Sequence, residues 1–235
     1  MSSDQSPVKL DIPAEKRWER DELAYFTPMA TFLGFTYLGT YLPSLFPYTY
    51  IVKTLLTGAL LIAFRRHYTK IKWNYASLGL ILGIIGVIQW VGMEKGLLHY
   101  WPKYPRMSGE IFNPYDKIKS PVLLWTFLAV RLVGPALVVP FMEELFWRDF
   151  LWRTIIAPND FKMARVGEID WQAFLLVTLF FASVHIQWMT AIVWGIMIGL
   201  LLITTRSLGA CILMHGITNL LLGIYVLHTH DWWFW

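Results

Sequence analysis

Long apolar stretches alternate with short polar or proline-bearing breaks along most of this chain. A membrane-crossing helix needs about 20 mostly apolar residues, with a range of about 17–25. On that measure the spans fall near 25–46, 49–64, 76–93, 121–147, 171–187, 189–205 and 207–228. The second, third, fifth and sixth are short, and the run from Ala173 to Ile203 can be divided differently around His185-Ile-Gln-Trp188. The expected fold is all-α, a polytopic integral membrane protein with about seven or eight transmembrane helices. Pro28, Pro43, Pro47, Pro121, Pro135 and Pro140 mark helix starts, ends or kinks, because proline lacks the amide N–H and clashes with the preceding turn. Residues 99–120 and 157–170 read as loops outside the hydrocarbon. Gly79 and Gly83 stand in a G-x-x-x-G spacing with Gly86 beyond, and small residues so placed let helix backbones approach closely. Residues 1–24 read as a polar tail, and 25–235 as a single membrane-embedded domain.

Composition strengthens this picture. The chain of 235 residues is 56% hydrophobic and only 15% charged, with a mean hydropathy of +0.48, whereas soluble domains carry about 25% charged residues. The net charge of +4 reflects loop topology rather than nucleic-acid binding. Lys9, Lys16, Arg17, Arg20, Arg65, Arg66, Lys70, Lys72, Arg148, Arg153, Lys162, Arg165 and Arg206 fall on one side if there are seven spans. Lys95, Lys103, Arg106, Lys117 and Lys119 fall on the other. Basic residues favour cytoplasmic loops, so the N-terminus is expected in the cytoplasm. The final Asp231-Trp-Trp-Phe-Trp235 then reads as an aromatic interface anchor on the far side. The lone Cys211 permits no intramolecular disulfide. Lys53 is expected to snorkel, and Arg131 carries no assigned role.

Against this apolar background a few polar residues stand out. Pro140-Phe-Met-Glu-Glu-Leu-Phe-Trp-Arg148 carries an E-E-x-x-x-R pattern, followed by Phe181-Ala-Ser-Val-His185 and His215-Gly-Ile-Thr-Asn219. Ionisable groups at membrane depth cost roughly 2.5 kcal/mol or more each, so a partner or a function must account for them. On a helix, Glu144 and Arg148 share a face and can pair. Glu143 is turned by about 100° from Glu144 and points elsewhere. A free buried carboxylate can serve as a base. Taken singly, each pattern has a structural reading: an interfacial charge cluster, an interfacial histidine, or polar side chains joining helices. Taken together they supply what water attack on a peptide carbonyl requires. Glu143 and His185 can hold and deprotonate water, while His215 and Asn219 can donate to the developing oxyanion.

These three motifs, in this order on successive membrane helices, resemble the type II CAAX prenyl endopeptidases, within the CAAX-protease and bacteriocin-processing group of intramembrane proteases. The resemblance covers roughly residues 121–222, the expected catalytic core, and the general look is similar to the exosortase-associated CAAX-protease-related proteins of bacteria. It implies an endopeptidase with Glu143 as catalytic glutamate, His185 as its partner on the water, and His215 and Asn219 as the oxyanion hole. Glu144, Arg148 and Phe181 support the site. The implied substrate is a membrane-associated protein or peptide, by analogy one cut near a C-terminal CAAX motif. The expected location is a bacterial inner membrane. No cofactor is expected, since H-E-x-x-H is absent; the alternative is a zinc site with Glu143, His185 and His215 as ligands. Rival readings are a non-catalytic immunity or scaffold protein, and a transporter. One tension stands. The span ends put Glu143 near the cytoplasmic side and His185 near the other. Either span five starts later, or the fourth helix runs on past Arg148 to Ile156.

Overall fold

The computed structural model describes residues 14–105 and 111–235, with side chains from Asp21 onward. Among the described residues there is no strand, and seven helices exceed ten residues. They are α1 (Ala14–Tyr41), α2 (Phe46–Ala63), α3 (Ala76–Tyr100), α4 (Pro121–Ile156), α5 (Trp171–Ser183), α6 (Trp188–Thr205) and α7 (Leu208–Thr229). Five of them, α2 with its leading turn, α3, α4, α6 and α7, are long and apolar enough to cross a membrane. The outward faces carry exposed Leu55, Ile81, Ile88, Val122 and Leu175, an apolar surface that a lipid environment accommodates and water does not. The protein is an integral membrane protein.

The expected spans map one-to-one onto these helices, with two informative differences. Helix α4 runs 36 residues to Ile156, about 54 Å at 1.5 Å per residue. Glu143 therefore sits well inside it, which resolves the tension left by the sequence. Helix α5 has only 13 residues and stops at Ser183, so His185 lies in the short connection to α6 rather than on a helix. At the N-terminal end, helix α1 already begins at Ala14 within the expected polar tail, and Asp21, Ala24 and Tyr25 are buried. The charge count used for orientation includes Lys9 and Arg106, which lie outside the described residues.

The helix ends follow from local chemistry. Ser120, Asp170 and Ser207 cap α4, α5 and α7 by accepting from the backbone N–H of Leu123, Ala173 and Ala210, which satisfies donors that a helix start leaves free. Helix α4 widens into π-helical turns at Gly134–Val138 and Leu145–Leu151. The first coincides with Pro135 and Pro140. Proline 140 has no N–H to give, so the carbonyls one turn back must find other partners.

Helices α3 and α7 form the tightest pair. A Cβ on Gly79 would stand 2.5 Å from the Ala210 carbonyl oxygen, one on Gly83 2.7 Å from Ile217 Cβ, and one on Gly86 2.5 Å from Thr218 Oγ1. The small-residue stripe thus brings α7, with His215 and Asn219, against α3. The inner end of α4 is anchored separately. Arg153 pairs with Asp149 and donates to the Ala164 carbonyl and Thr69 Oγ1, each at 2.9 Å. Tyr25 donates to Asp149 at 2.7 Å.

Candidate active site

One cavity of about 330 Å³ lies among α1, α2, α3, α4, α6 and α7, and its wall includes Glu143, His185, His215 and Asn219. The four residues lie on α4, on the α5–α6 connection and, two of them, on α7. The structure brings together all four that the sequence singled out.

Glu143 is 8% exposed, and its Oε2 has no hydrogen-bond partner. Its neighbour Glu144 is fully buried and turned away. Glu144 Oε1 accepts from Arg148 at 3.3 Å and from His215 Nδ1–H at 2.7 Å. The two adjacent carboxylates are thus separated in duty by the helical rotation between them. Both Oε2 atoms lack a hydrogen-bond partner, but Glu144 is paired through Oε1 inside the protein, whereas Glu143 lies in the cavity wall.

The two histidines are each held through Nδ1. Phe181 offers a carbonyl, which can only accept, so His185 Nδ1–H donates to it at 2.7 Å and Nε2 is left as a lone pair. The F-x-x-x-H spacing is what makes this bond: it joins a side chain to the carbonyl four residues back. His215 is held by Glu144, an arrangement that fixes ring orientation as carboxylate–histidine pairs generally do.

Phe181 is the hub of the support. Its ring stacks on Trp194 at 5.3 Å, lies 4.3 Å from the His185 ring, and takes the Arg148 guanidinium at 4.5 Å. Arg148 therefore has a carboxylate on one side and an aromatic face on another, which offsets much of the cost of burying it. Asn219 Nδ2 donates to the Pro135 carbonyl at 2.9 Å. That carbonyl sits in the first π turn, where the residue five ahead is Pro140 and offers no N–H. Asn219 fills the gap and keeps a second N–H, since its amide nitrogen has two.

Several wall residues were not read from the sequence. Trp90 packs its ring against His185 at 5.7 Å, and Trp194 lies 4.9 Å from the His215 ring. Gln187 ties the His185 connection to the Trp233 carbonyl at 3.2 Å. Lys53 does not snorkel. It is 5% exposed and turns inward to the cavity wall, as does Arg131. Nothing in the spacing of these residues marks them, because aromatic residues are abundant throughout and each cation stands alone in its apolar run.

The zinc alternative can be tested on the side chains. Among the described residues no three His, Cys, Asp or Glu side chains form a group that could hold a metal ion. Glu143, His185 and His215 share a cavity without forming such a group.

Comparison with known proteins adds one match. Residues 124–221 fit the family model described as type II CAAX prenyl endopeptidase Rce1-like. The match runs from within α4 to within α7 and shows what that segment is similar to. No curated protein and no solved structure matches the chain. The Rce1-like segment contains Glu143, Glu144, Arg148, Phe181, His185, His215 and Asn219. The Rce1-like family is a protease family, which supports an enzyme of peptidase type at the membrane. Helices α1 to α3, which complete the cavity wall, lie outside the matched segment.

Proposed function

We propose that the chain is an intramembrane endopeptidase that hydrolyses a peptide bond in a membrane-associated protein by activated water. The observation that carries this reading is the position of the buried Glu143 carboxylate, which, unlike the ion-paired Glu144, lies in the cavity wall together with His185, His215 and Asn219. A buried carboxylate oxygen without a hydrogen-bond partner is costly unless a partner arrives with the reaction.

Glu143 takes a proton from water as the oxygen attacks the scissile carbonyl carbon. His185 Nε2, a lone pair by virtue of its bond to Phe181, accepts the other water hydrogen and orients the nucleophile. The carbonyl π electrons move to oxygen, and Asn219 donates its second N–H to that oxyanion. His215 can donate from Nε2 when it carries both ring protons, with Glu144 at 2.7 Å as counter-charge. Collapse of the tetrahedral intermediate expels the amine, which takes the proton held by Glu143. Donors fixed in advance, in a site of low dielectric, provide stabilisation that water could not.

The substrate follows from the family and the surroundings: a protein held at the bilayer, cut near a C-terminal CAAX-type sequence or an equivalent membrane-anchored segment. The membrane is a bacterial inner membrane, with the N-terminus in the cytoplasm. Glu143→Gln tests the reading, since it removes the base and keeps the shape. Purified wild type should cleave a lipidated reporter peptide while the variant, equally folded in detergent, should not. Near-normal turnover by Glu143→Gln would reject the assignment.

A further inference from the structure

Two cations of the cavity wall remain without an anion. Lys53 is the eighth residue of the 18 in α2, too deep to reach an interface, and is 5% exposed. Its Nζ donates to Thr36 Oγ1 at 2.9 Å and lies over the rings of Phe32 at 4.2 Å and Tyr50 at 4.6 Å. Arg131 comes from α4 and lies against the other contacts of the same patch, 4.4 Å from the Tyr50 ring and 5.7 Å from that of Trp235. Among the described residues neither has a carboxylate within ion-pair distance, and Glu143 is the only acidic side chain in the cavity wall. The two deeply buried arginines among the described residues, Arg148 and Arg153, each have their own glutamate or aspartate, whereas the half-buried Arg131 has none. Ring faces soften the burial of a cation but do not replace an anion. Arg131 keeps its planar fork of N–H donors unspent, the geometry that matches a carboxylate.

We propose that Lys53 and Arg131 form an anion subsite that takes a carboxylate of the substrate. The proposal deepens the peptidase reading and rests on it for what fills the cavity. Arg131 precedes Glu143 by twelve residues on α4, about 18 Å along the helix axis. An extended peptide covers that distance in about five residues, and fewer once the side chains reach inward. The anionic group therefore sits about three to five residues from the scissile bond. A free α-carboxylate at the end of a substrate and an acidic side chain near it are the two sources of this chemistry. The subsite fixes where along a chain the cut falls, by measuring from a charge rather than by reading side chains.

The test uses the full chain in detergent and three prenylated tetrapeptides of sequence Cys-Val-Ile-Ala. One is a free acid, one a C-terminal amide, and one an amide with aspartate in the last place. Binding is measured on the Glu143→Gln background, where nothing is cleaved, and cleavage on the otherwise unaltered protein. The free acid should bind roughly 10- to 100-fold more tightly than the plain amide, the range for a charge-assisted hydrogen bond. Lys53→Met and Arg131→Met should each erase most of that preference, raise KM for the free acid and leave kcat nearly unchanged. Arg131→Lys should keep part of it. Neither methionine variant should unfold at a lower temperature, since each removes a charge that has no counter-ion. Recovery of binding by the aspartate amide shows that the subsite takes a side-chain carboxylate as well as a chain end, and no recovery restricts it to chain ends. Equal binding of all three peptides, a preference that survives both methionine variants, or no binding at all overturns the proposal. A free-acid preference abolished by the variants, in a protein that cleaves nothing, upholds the subsite and rejects the peptidase reading.

Discussion

Glu144 holds two partners through one oxygen, which makes Glu144→Ala the most informative single change in the protein. The substitution strands Arg148, which is 1% exposed, and frees Nδ1 of His215, which is 4% exposed. Breaking a buried ion pair by removing one side costs about 3–5 kcal/mol, because the charge that stays behind has no solvent. Two features set the value toward the lower end. The Arg148–Glu144 contact is 3.3 Å rather than a short charge-assisted bond, and the guanidinium keeps its seat on Phe181 at 4.5 Å. About 3 kcal/mol is therefore expected, or a fall of about 6–12 °C in the unfolding midpoint for a chain of this length. Thermal unfolding in detergent reads it directly. The double variant Glu144→Ala with Arg148→Met separates charge from packing. Replacing a whole buried pair with apolar groups is often neutral, so the double variant should recover most of the stability. It should not recover activity, because His215 loses the carboxylate that orients it. A double variant as unstable as the single one would refute the reasoning and make the loss one of packing. An unchanged midpoint in Glu144→Ala alone would place the pair in solvent.

Other expectations follow from the same geometry. Asn219→Ala should lower kcat by about 10²–10³, the cost of one oxyanion donor, with little change in KM; rates within a few-fold of wild type would remove Asn219 from the reaction. His215→Ala should do likewise. Elemental analysis of active protein, before and after exhaustive chelation, is expected to show full activity without stoichiometric zinc. Activity lost with zinc and restored by it would move Glu143, His185 and His215 into ligand roles. Gly83→Val should cost about 1–3 kcal/mol through overpacking, since a Cβ there already meets Ile217 at 2.7 Å and the Met214 carbonyl oxygen at 2.9 Å. Gly92→Ala, with nothing within 4 Å, should be neutral or slightly stabilising, and equal effects at both positions would deny the close α3–α7 approach.

What could be read ahead of the structure, and what could not, divides along physical lines. Apolar run length identifies the helices, because the bilayer imposes it. The separate directions of Glu143 and Glu144 follow from one residue of helical rotation, and the Glu144–Arg148 pair from a spacing of four. Contacts between distant segments leave no such trace. Nothing local says that His215, 71 residues on, donates to Glu144, or that Asn219 fills the carbonyl orphaned by Pro140. Boundaries also misled: His185 falls in a connection because α5 ends two residues before it. Lys53 and Arg131 read as isolated polar residues because their shared cavity is a property of packing between α2 and α4.

The brevity of α5 has a consequence for the membrane itself. Thirteen residues reach about 20 Å, against about 30 Å of hydrocarbon. A bilayer that met this helix end to end would have to thin by about 10 Å at the connection that carries His185. Each ångström of such mismatch costs a fraction of a kcal/mol, so the deformation is affordable in a thin bilayer and grows more expensive in a thick one.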